Sequence, residues 1–275
     1  MKPQISPTAG ATDSSARHLL LVEDSYVNQM VAVAMLKKAG YVVDTAVNGL
    51  EAIAAVQARK YDLVLMDLAM PEMDGFQAAA EIRRMSGAAA NVPIIAVTAN
   101  GLDQDWQRCI AVGMNDYISK PINRVKLLSV LEQWLQGSPA GNTGANAENQ
   151  NRCGEVRQSE MPQGEVLDAK TLQQLEADTD KATLQRAVHL FIRETKARLQ
   201  VIVEAGALED WNRVQREAHT LKSSAGAFGA QRLQEHAQAL DQACRKPDRL
   251  KALALVARLA EVTVPVLQVL TKRYC

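Results

Sequence analysis

A short apolar run that ends in an aspartate and a turn constrains the fold of this chain most. Residues 63–66 read Leu-Val-Leu-Met without a polar break, and Asp67 follows directly. Such a run is typical of a strand buried on both faces of a parallel sheet, whereas a half-exposed strand alternates apolar and polar residues. Pro71 and the pair Asp74-Gly75 then predict a turn into a helix. Because ligands of open α/β sheets bind at the carboxyl ends of strands, Asp67 is the first candidate functional residue.

Strand and helix patterns alternate from residue 17 to residue 136. The predicted elements, in chain order, are strand 19–22, helix 26–39, strand 42–46, helix 50–59, strand 63–67, helix 76–85, strand 94–98, helix 103–112, strand 116–119 and helix 124–136. This alternation predicts an α/β doubly wound, five-stranded parallel sheet of the flavodoxin-like type, with right-handed crossovers.

Composition divides the rest of the chain into three segments. Residues 1–16 show no periodicity and predict a disordered leader, and residues 137–165, rich in Gly, Asn, Gln and Ser, predict a flexible linker. In residues 166–275 the apolar residues recur three and four apart. This spacing predicts a second, all-α domain, an antiparallel bundle of four main helices with a short leading helix.

The helical segment carries recognisable start and break signals. Asp168, Asp180 and Asp210 stand where helix N-caps belong. Pro265 lies inside the last apolar helix pattern and should kink or divide that helix, because proline cannot donate the backbone hydrogen bond.

Charge and cysteine usage exclude several classes of function. Lys plus Arg and Asp plus Glu number 31 each, so no net field favours nucleic acid or an anionic membrane. The four cysteines are scattered without paired spacing, which argues against a zinc site or a disulfide framework and suits a reducing cytosol. Arg258, Glu261 and Pro265 interrupt the longest apolar stretches. We therefore expect a cytoplasmic chain without a membrane segment.

Polar side chains converge at the predicted carboxyl edge of the sheet. Glu23 and Asp24 follow the first strand and Asp67 ends the third, and these strands are neighbours in the flavodoxin-like order. Three carboxylates repel one another unless a cation neutralises them, and an all-oxygen site suits Mg²⁺. Thr98 after the fourth strand offers a hydroxyl, and Lys120 after the fifth offers an ammonium. This set of groups predicts a phosphoryl site.

Five segments in this order resemble response-regulator receiver domains, particularly those of hybrid sensor kinases. The segments are LLLVEDSYVNQ, NGLEA, LVLMDLAMPEMDG, PIIAVTAN and GMNDYISKPI, within residues 17–136. The resemblance implies that Asp67 forms an aspartyl phosphate. It also implies that Glu23, Asp24, Asp67 and the backbone carbonyl of Ala69 hold Mg²⁺.

The same resemblance assigns roles to residues further along the sheet. It implies that Thr98 and Lys120 bind the phosphoryl oxygens and that Tyr117 is the switch aromatic of the family. The Lys120–Pro121 bond resembles the family's cis peptide. Receivers of this kind dock helical bundles with their first helix, here residues 26–39.

His219 marks a second candidate site. At 100° per residue it lies on the order of 130° from the centre of its helix's core stripe, which predicts a partly exposed imidazole. Lys222, one turn on, can neutralise charge on that ring, and Ser223 and Gly226 are small enough for a partner to approach.

The run EAHTLKSSAGAFG, residues 217–229, resembles the signature of histidine-containing phosphotransfer (HPt) domains, and the resemblance extends over residues 166–275. It implies phosphorylation of His219, with Lys222 beside it. Ser223 stands where the family often has glycine, which bears on transfer rate and choice of partner.

The two candidate sites together suggest a two-component phosphorelay protein. In this hypothesis Asp67 accepts a phosphoryl group from a sensor histidine kinase or its phosphohistidine domain, and His219 passes phosphate to or from a downstream response-regulator receiver. No ATP-binding motif is recognisable, so we expect no kinase activity from the chain on its own, although it could be the tail of a hybrid kinase.

Two alternatives stay open from the sequence. In the first, phosphorylation switches a binding or regulatory protein whose HPt domain is a sink or docking module. In the second, the chain is a Mg²⁺-dependent phosphohydrolase, although no residue is placed as a water-activating base.

Overall fold

The computed structural model describes residues 16–99, 103–136, 166–246 and 248–274. The predicted linker, residues 137–165, and all of the predicted leader except Ala16 lie outside the described residues. The domain boundaries at 16/17, 136/137 and 165/166 therefore stay predictions.

The first half of the chain is a five-stranded parallel sheet with helices on both faces. Its elements are β1 (His18–Val22), α1 (Tyr26–Lys38), β2 (Val42–Ala46), α2 (Gly49–Ala58), β3 (Leu63–Asp67), α3 (Gly75–Arg84), β4 (Ile94–Thr98), α4 (Asp103–Ala111), β5 (Asp116–Ser119) and α5 (Arg124–Leu135). The strand order is β2-β1-β3-β4-β5, and all neighbouring strands are parallel. The predicted doubly wound fold is confirmed, and it sets the ends of β1 and β3 side by side.

Both faces of the central strands are buried, which explains their unbroken apolar sequences. In β3, Leu63 and Leu65 pack with α1 and α5, while Val64 and Met66 pack with α2 and α3 on the opposite face. Each fully buried side chain of this size contributes roughly 1.5–3 kcal/mol to folding. The carboxyl end of β3, which carries Asp67, is therefore held rigidly.

The second half of the chain is the predicted helical bundle. Its elements are α6 (Ala169–Asp178), α7 (Lys181–Ala207), α8 (Trp211–Ala227), α9 (Gln231–Arg245) and α10 (Arg249–Tyr274). Asp168, Asp180 and Asp210 are the N-caps of α6, α7 and α8, each accepting a hydrogen bond from a backbone N–H of the first turn, which confirms that prediction. A cap of this kind contributes about 1 kcal/mol.

The last helix departs from one prediction. We expected Pro265 to kink or divide it. Helix α10 continues through Pro265 as one helix, so the predicted division is wrong and the kink stays a prediction. Buried residues on both sides of the proline, among them Leu259 and Leu270, pack into the bundle core and hold the two halves together. Tertiary packing thus outweighs the local cost of the proline.

By length and composition α10 could also span a membrane, and within the described part of the chain it is the one helix that meets this test. An 18-residue window of it has a mean hydropathy of 1.8, and 28% of that window is buried. The apolar residues of α10 also serve the bundle, because Leu259, Val266 and Leu270 are almost fully buried in it.

The two domains meet along α1, which packs against α7 and α8. Lys38, at the end of α1, donates hydrogen bonds to the carbonyl oxygens of Ala177 at 2.6 Å and Thr179 at 3.0 Å. These carbonyls lie at the C-terminal end of α6, where the helix dipole favours a positive charge. At the other end of α1, Ser25 donates from Oγ to Glu194 at 3.2 Å.

Gly75 generates a prediction about how the end of β3 is held. A Cβ at this position would collide with the backbone carbonyl of Asp67, which cannot move without displacing the strand end. We expect Gly75→Ala to destabilise the fold by roughly 1–3 kcal/mol, measured as a fall in thermal unfolding temperature. Gly206→Ala in α7 is the control, because its Cβ would meet only the side chain of Val256, and an equal effect of both substitutions would contradict the argument.

Candidate functional site

Three carboxylates gather where β1 and β3 end. Glu23, Asp24 and Asp67 each place a carboxylate oxygen so that all lie within 4.8 Å of one another. Glu23 and Asp67 are buried, and Asp24 is half-buried at the rim. The adjacency of β1 and β3 produces this cluster directly, as the strand pattern predicted.

Lys120 partly neutralises the cluster. Its Nζ lies 2.6 Å from Glu23 Oε2 and 2.6 Å from Asp67 Oδ2, and its side chain is only 6% exposed. The Lys120–Pro121 bond that precedes α5 is cis, as the resemblance implied. Burial lowers the pKa of Lys120, but the surrounding carboxylates outweigh burial and raise it, so the ammonium stays charged.

The remaining charge of the cluster fits a divalent cation. Burial raises the pKa of Glu23 to about 7, with Lys120 opposing the rise and Asp67 adding to it. Burial, together with the charge of Asp67, also raises the pKa of Asp24. When all three carboxylates are ionised, one ammonium leaves two negative charges in a small, all-oxygen site, which is the donor set that Mg²⁺ prefers.

The other predicted residues of the sheet lie around this cluster. Thr98 is buried at the end of β4. Ala69 donates its backbone N–H to Asp67 Oδ1 at 3.2 Å. Tyr117 on β5 is half-buried, with its ring centroid 5.3 Å from that of Trp106 on α4 and 5.5 Å from Nζ of Lys126. The roles of Thr98, Tyr117 and Ala69 stay predictions.

Several residues that orient the acid cluster escaped the sequence reasoning. Asn28 donates from Nδ2 to Glu23 Oε1 at 3.0 Å. Gln29 donates from Nε2 to the backbone carbonyls of Glu23 at 2.8 Å and Ala46 at 3.1 Å, tying the ends of β1 and β2 together. The sequence did contain a signal for these contacts: two amide side chains, Asn28 and Gln29, stand in the first turn of the helix that follows Glu23 and Asp24.

The structure contradicts the predicted exposure of His219. We expected a partly exposed imidazole, but His219 is only 8% exposed, and residues 218–226 of α8 are buried without interruption. The position of His219 along its helix fixes its direction only relative to the core of its own bundle, and the receiver half also packs on α8. Its neighbour on α9, Asp241, covers it as well, with Oδ2 at 3.4 Å from Nδ1.

The predicted companions of His219 are buried with it. Lys222 and Ser223 are each 5% exposed. Ser223 donates from Oγ to the backbone carbonyl of His219 at 3.3 Å, so its hydroxyl bonds within the helix. The interpretation of Ser223 and Gly226 as a small, open surface therefore does not hold in this arrangement, where Gly226 lies against Gln234.

A hydrogen bond joins the two candidate sites. Thr220, the residue after His219, donates from Oγ1 to Asp24 Oδ2 at 3.1 Å. The positive charge of Arg198 on α7 also lowers the pKa of Asp24, against the larger effect of burial. Helix α8 therefore lies at the mouth of the carboxylate cluster.

Comparison with known proteins identifies both halves. A model of the response regulator receiver domain matches residues 19–132, and a model of the Hpt domain matches residues 186–269. Neither model is a kinase domain.

Similar proteins span receivers and hybrid kinases. The two-component response regulator ORR41 of Oryza sativa subsp. japonica is 45% identical over 120 residues, 42% of this chain and 92% of its own length. Hybrid signal transduction histidine kinase B of Dictyostelium discoideum is 43% identical over 136 residues, 46% of this chain. The chain spans only 7% of that kinase and 16% of probable histidine kinase 1 of Oryza sativa subsp. indica, with which it shares 40% identity.

A crystal structure is also similar to the first half. It is the receiver domain of a sensor histidine kinase from Pseudomonas aeruginosa, described with a magnesium ion coordinated in the active-site cleft. It is 41% identical, covers 45% of this chain and 100% of its own, and has a TM-score of 0.42. Because family models match both halves, the chain belongs to the two-component signalling proteins, as a receiver domain followed by an Hpt domain.

Proposed function

We propose that Asp67 accepts the phosphoryl group and that His219 exchanges it with Asp67 inside the same chain. The observation that carries this proposal is the Thr220–Asp24 hydrogen bond, because it holds the helix of the candidate phosphohistidine against the rim of the aspartate site. In this arrangement the transfer between the two acceptors is intramolecular. Proximity of this kind replaces a bimolecular encounter and removes much of its entropic cost.

The receiver half catalyses its own phosphorylation in this proposal. A carboxylate oxygen of Asp67 attacks the phosphorus of a phosphohistidine donor, the new O–P bond forms, and the donor's N–P bond breaks with its electron pair returning to nitrogen. The ammonium of Lys120, already beside Asp67, and the hydroxyl of Thr98 bind the phosphoryl oxygens as charge develops. Such a transfer needs positioning and charge neutralisation more than covalent assistance.

Mg²⁺ fits the proposal through the donor set of the site. Glu23, Asp24, Asp67 and the backbone carbonyl of Ala69 would hold it, and when bound it would neutralise the carboxylates and the phosphoryl oxygens. Tyr117 takes the part of the switch aromatic, reporting the state of the site to the surface formed by α4 and β5.

Partners and location follow from the domain content. The donor is a sensor histidine kinase or its phosphohistidine domain, and the acceptor from His219 is a downstream response-regulator receiver. We further propose a cytoplasmic location, where both partners present their phosphoacceptors. Nucleic acid has no part in this function, in keeping with the balanced charge of the chain.

A second candidate function is regulation by binding. The burial of His219 beneath the receiver half favours it, because a foreign receiver cannot reach the imidazole in this arrangement. In that case phosphorylation of Asp67 would change how α1 docks on the bundle, and the HPt half would act as a sink or docking module.

Phosphate labelling separates the two candidates. With radioactive acetyl phosphate and Mg²⁺, we expect the native chain to acquire alkali-stable label, because phosphohistidine survives alkali whereas an acyl phosphate does not. Asp67→Asn and His219→Gln should both abolish that label, and His189→Gln, an exposed histidine of α7, should leave it intact. Alkali-labile label alone, unchanged in His219→Gln, would favour the binding function instead.

The raised pKa of Glu23 predicts a pH dependence with opposite signs for stability and metal binding. In the folded chain Glu23 binds its proton more tightly than at its ordinary pKa of 4.5, so without metal the stability falls as pH rises from 4.5 through about 7. Mg²⁺ must displace that proton below pH 7. We expect the calorimetric Mg²⁺ affinity to be about tenfold weaker one pH unit below the Glu23 pKa than well above it.

Glu23→Gln is the matched variant, since it preserves shape and removes the titrating proton. It should bind Mg²⁺ more weakly than the native chain at high pH and lose the pH dependence near pH 7. A native chain whose Mg²⁺ affinity does not change across this range would contradict the account.

A further inference from the structure

A buried carboxylate faces His219 from the neighbouring helix. Asp241 on α9 is 2% exposed, and its Oδ2 lies 3.4 Å from His219 Nδ1. Its other oxygen, Oδ1, accepts hydrogen bonds from Arg245 Nε at 2.9 Å and Gln215 Nε2 at 3.3 Å. One oxygen is thus held by donors from α8 and α9, and the other is presented to the imidazole.

Asp241 is ionised at neutral pH. Burial acts to raise its pKa, but the hydrogen bonds from His219 and Arg245 outweigh burial and lower the pKa to about 2. An ionised carboxylate can only accept hydrogen bonds, so the nitrogen that faces it must carry the proton. In the neutral ring, Nε2 is then the nitrogen with the free lone pair.

We propose that Asp241 is a positioning residue for phosphotransfer, which fixes His219 in the Nδ1–H tautomer and leaves Nε2 as the nucleophile. Gln215 and Arg245 hold the carboxylate in place, and the sequence motif around His219 does not include any of the three. The phosphoryl part of this inference rests on the proposed function.

The transfer step balances without an additional proton donor. The Nε2 lone pair forms the bond to phosphorus, the bond between phosphorus and Asp67 breaks, and its electron pair returns to the Asp67 carboxylate. The ring keeps its Nδ1 proton and gains positive charge during the step. Asp241 lies where that charge develops and stabilises it, and in the reverse direction it stabilises the ring before phosphate leaves.

Nitrogen-15 NMR of the histidine rings in the full, unphosphorylated chain tests the proposal without any substitution. At a pH where the ring spectrum shows the neutral form, His219 should show a protonated Nδ1 and an unprotonated Nε2. A native His219 ring that is mainly Nε2–H overturns the proposal.

Substitution then separates positioning from packing. Asp241→Leu removes the acceptor, so the ring should lose its preference for Nδ1–H, and phosphotransfer should slow by roughly tenfold or more. Asp241→Asn keeps an acceptor oxygen without the charge and should restore the tautomer but only part of the rate. Thr263→Val, at a buried polar residue of α10 that bonds within its own helix, is the control and should change neither.

The outcomes distinguish this inference from the proposed function. If Asp241→Leu keeps the Nδ1–H tautomer, or if Thr263→Val slows transfer equally, Asp241 is not the positioning residue. If the tautomer behaves as expected but no variant, the native chain included, forms alkali-stable label, the positioning of the ring by Asp241 stands and the proposed relay falls.

Discussion

The structure depends on a concentration of negative charge at the end of a buried parallel sheet. Glu23 and Asp67 are forced together because β1 and β3 are neighbours, and burial makes the ionisation of Glu23 costly. A single ammonium, that of Lys120, offsets only part of this charge. A divalent cation or a proton can offset the remaining negative charge. Metal binding, protonation and phosphoryl chemistry are therefore coupled at one place.

A second constraint is the way α1 joins the two domains. Its N-terminal end carries Ser25, which bonds to the bundle at Glu194, and its C-terminal end carries Lys38, which closes α6. Between these ends, buried residues of α1 and of the bundle belong to one apolar cluster. With Thr220 hydrogen-bonded to Asp24, the docked arrangement places α8, which carries His219, against the aspartate site. The same arrangement covers His219. Intramolecular exchange and delivery to an outside receiver therefore require different arrangements of the same two domains.

The fold and the aspartate site could be predicted from local sequence, because strand and helix patterns depend on residues close together in the chain. The carboxyl ends of parallel strands lie along one edge of the sheet, so the flavodoxin-like strand order predicts that Glu23, Asp24 and Asp67 lie together. The aspartate caps of the bundle could be predicted because each precedes an apolar helix pattern. His219 was found by its motif, but its burial was not, because a helical periodicity argument locates a side chain only relative to its own bundle. Asp241 lies on the following helix, and only the packing of α8 against α9 brings it to the imidazole.

The docking of the acid cluster against α8 is the central claim, and Mn²⁺ in place of Mg²⁺ tests it most directly. Paramagnetic Mn²⁺ bound at Glu23, Asp24 and Asp67 should broaden the NMR signals of the His219 ring. The ring signals of His236, which is hydrogen-bonded to the backbone carbonyl of Leu255 on α10, should stay sharp. Asp67→Asn should remove the broadening by weakening the metal site, and Lys38→Ala should reduce it by loosening α1, with the exposed neighbour substitution Lys37→Ala as the control. If the His219 signals stay sharp at saturating Mn²⁺, the domains do not dock in this way and intramolecular transfer loses its structural basis.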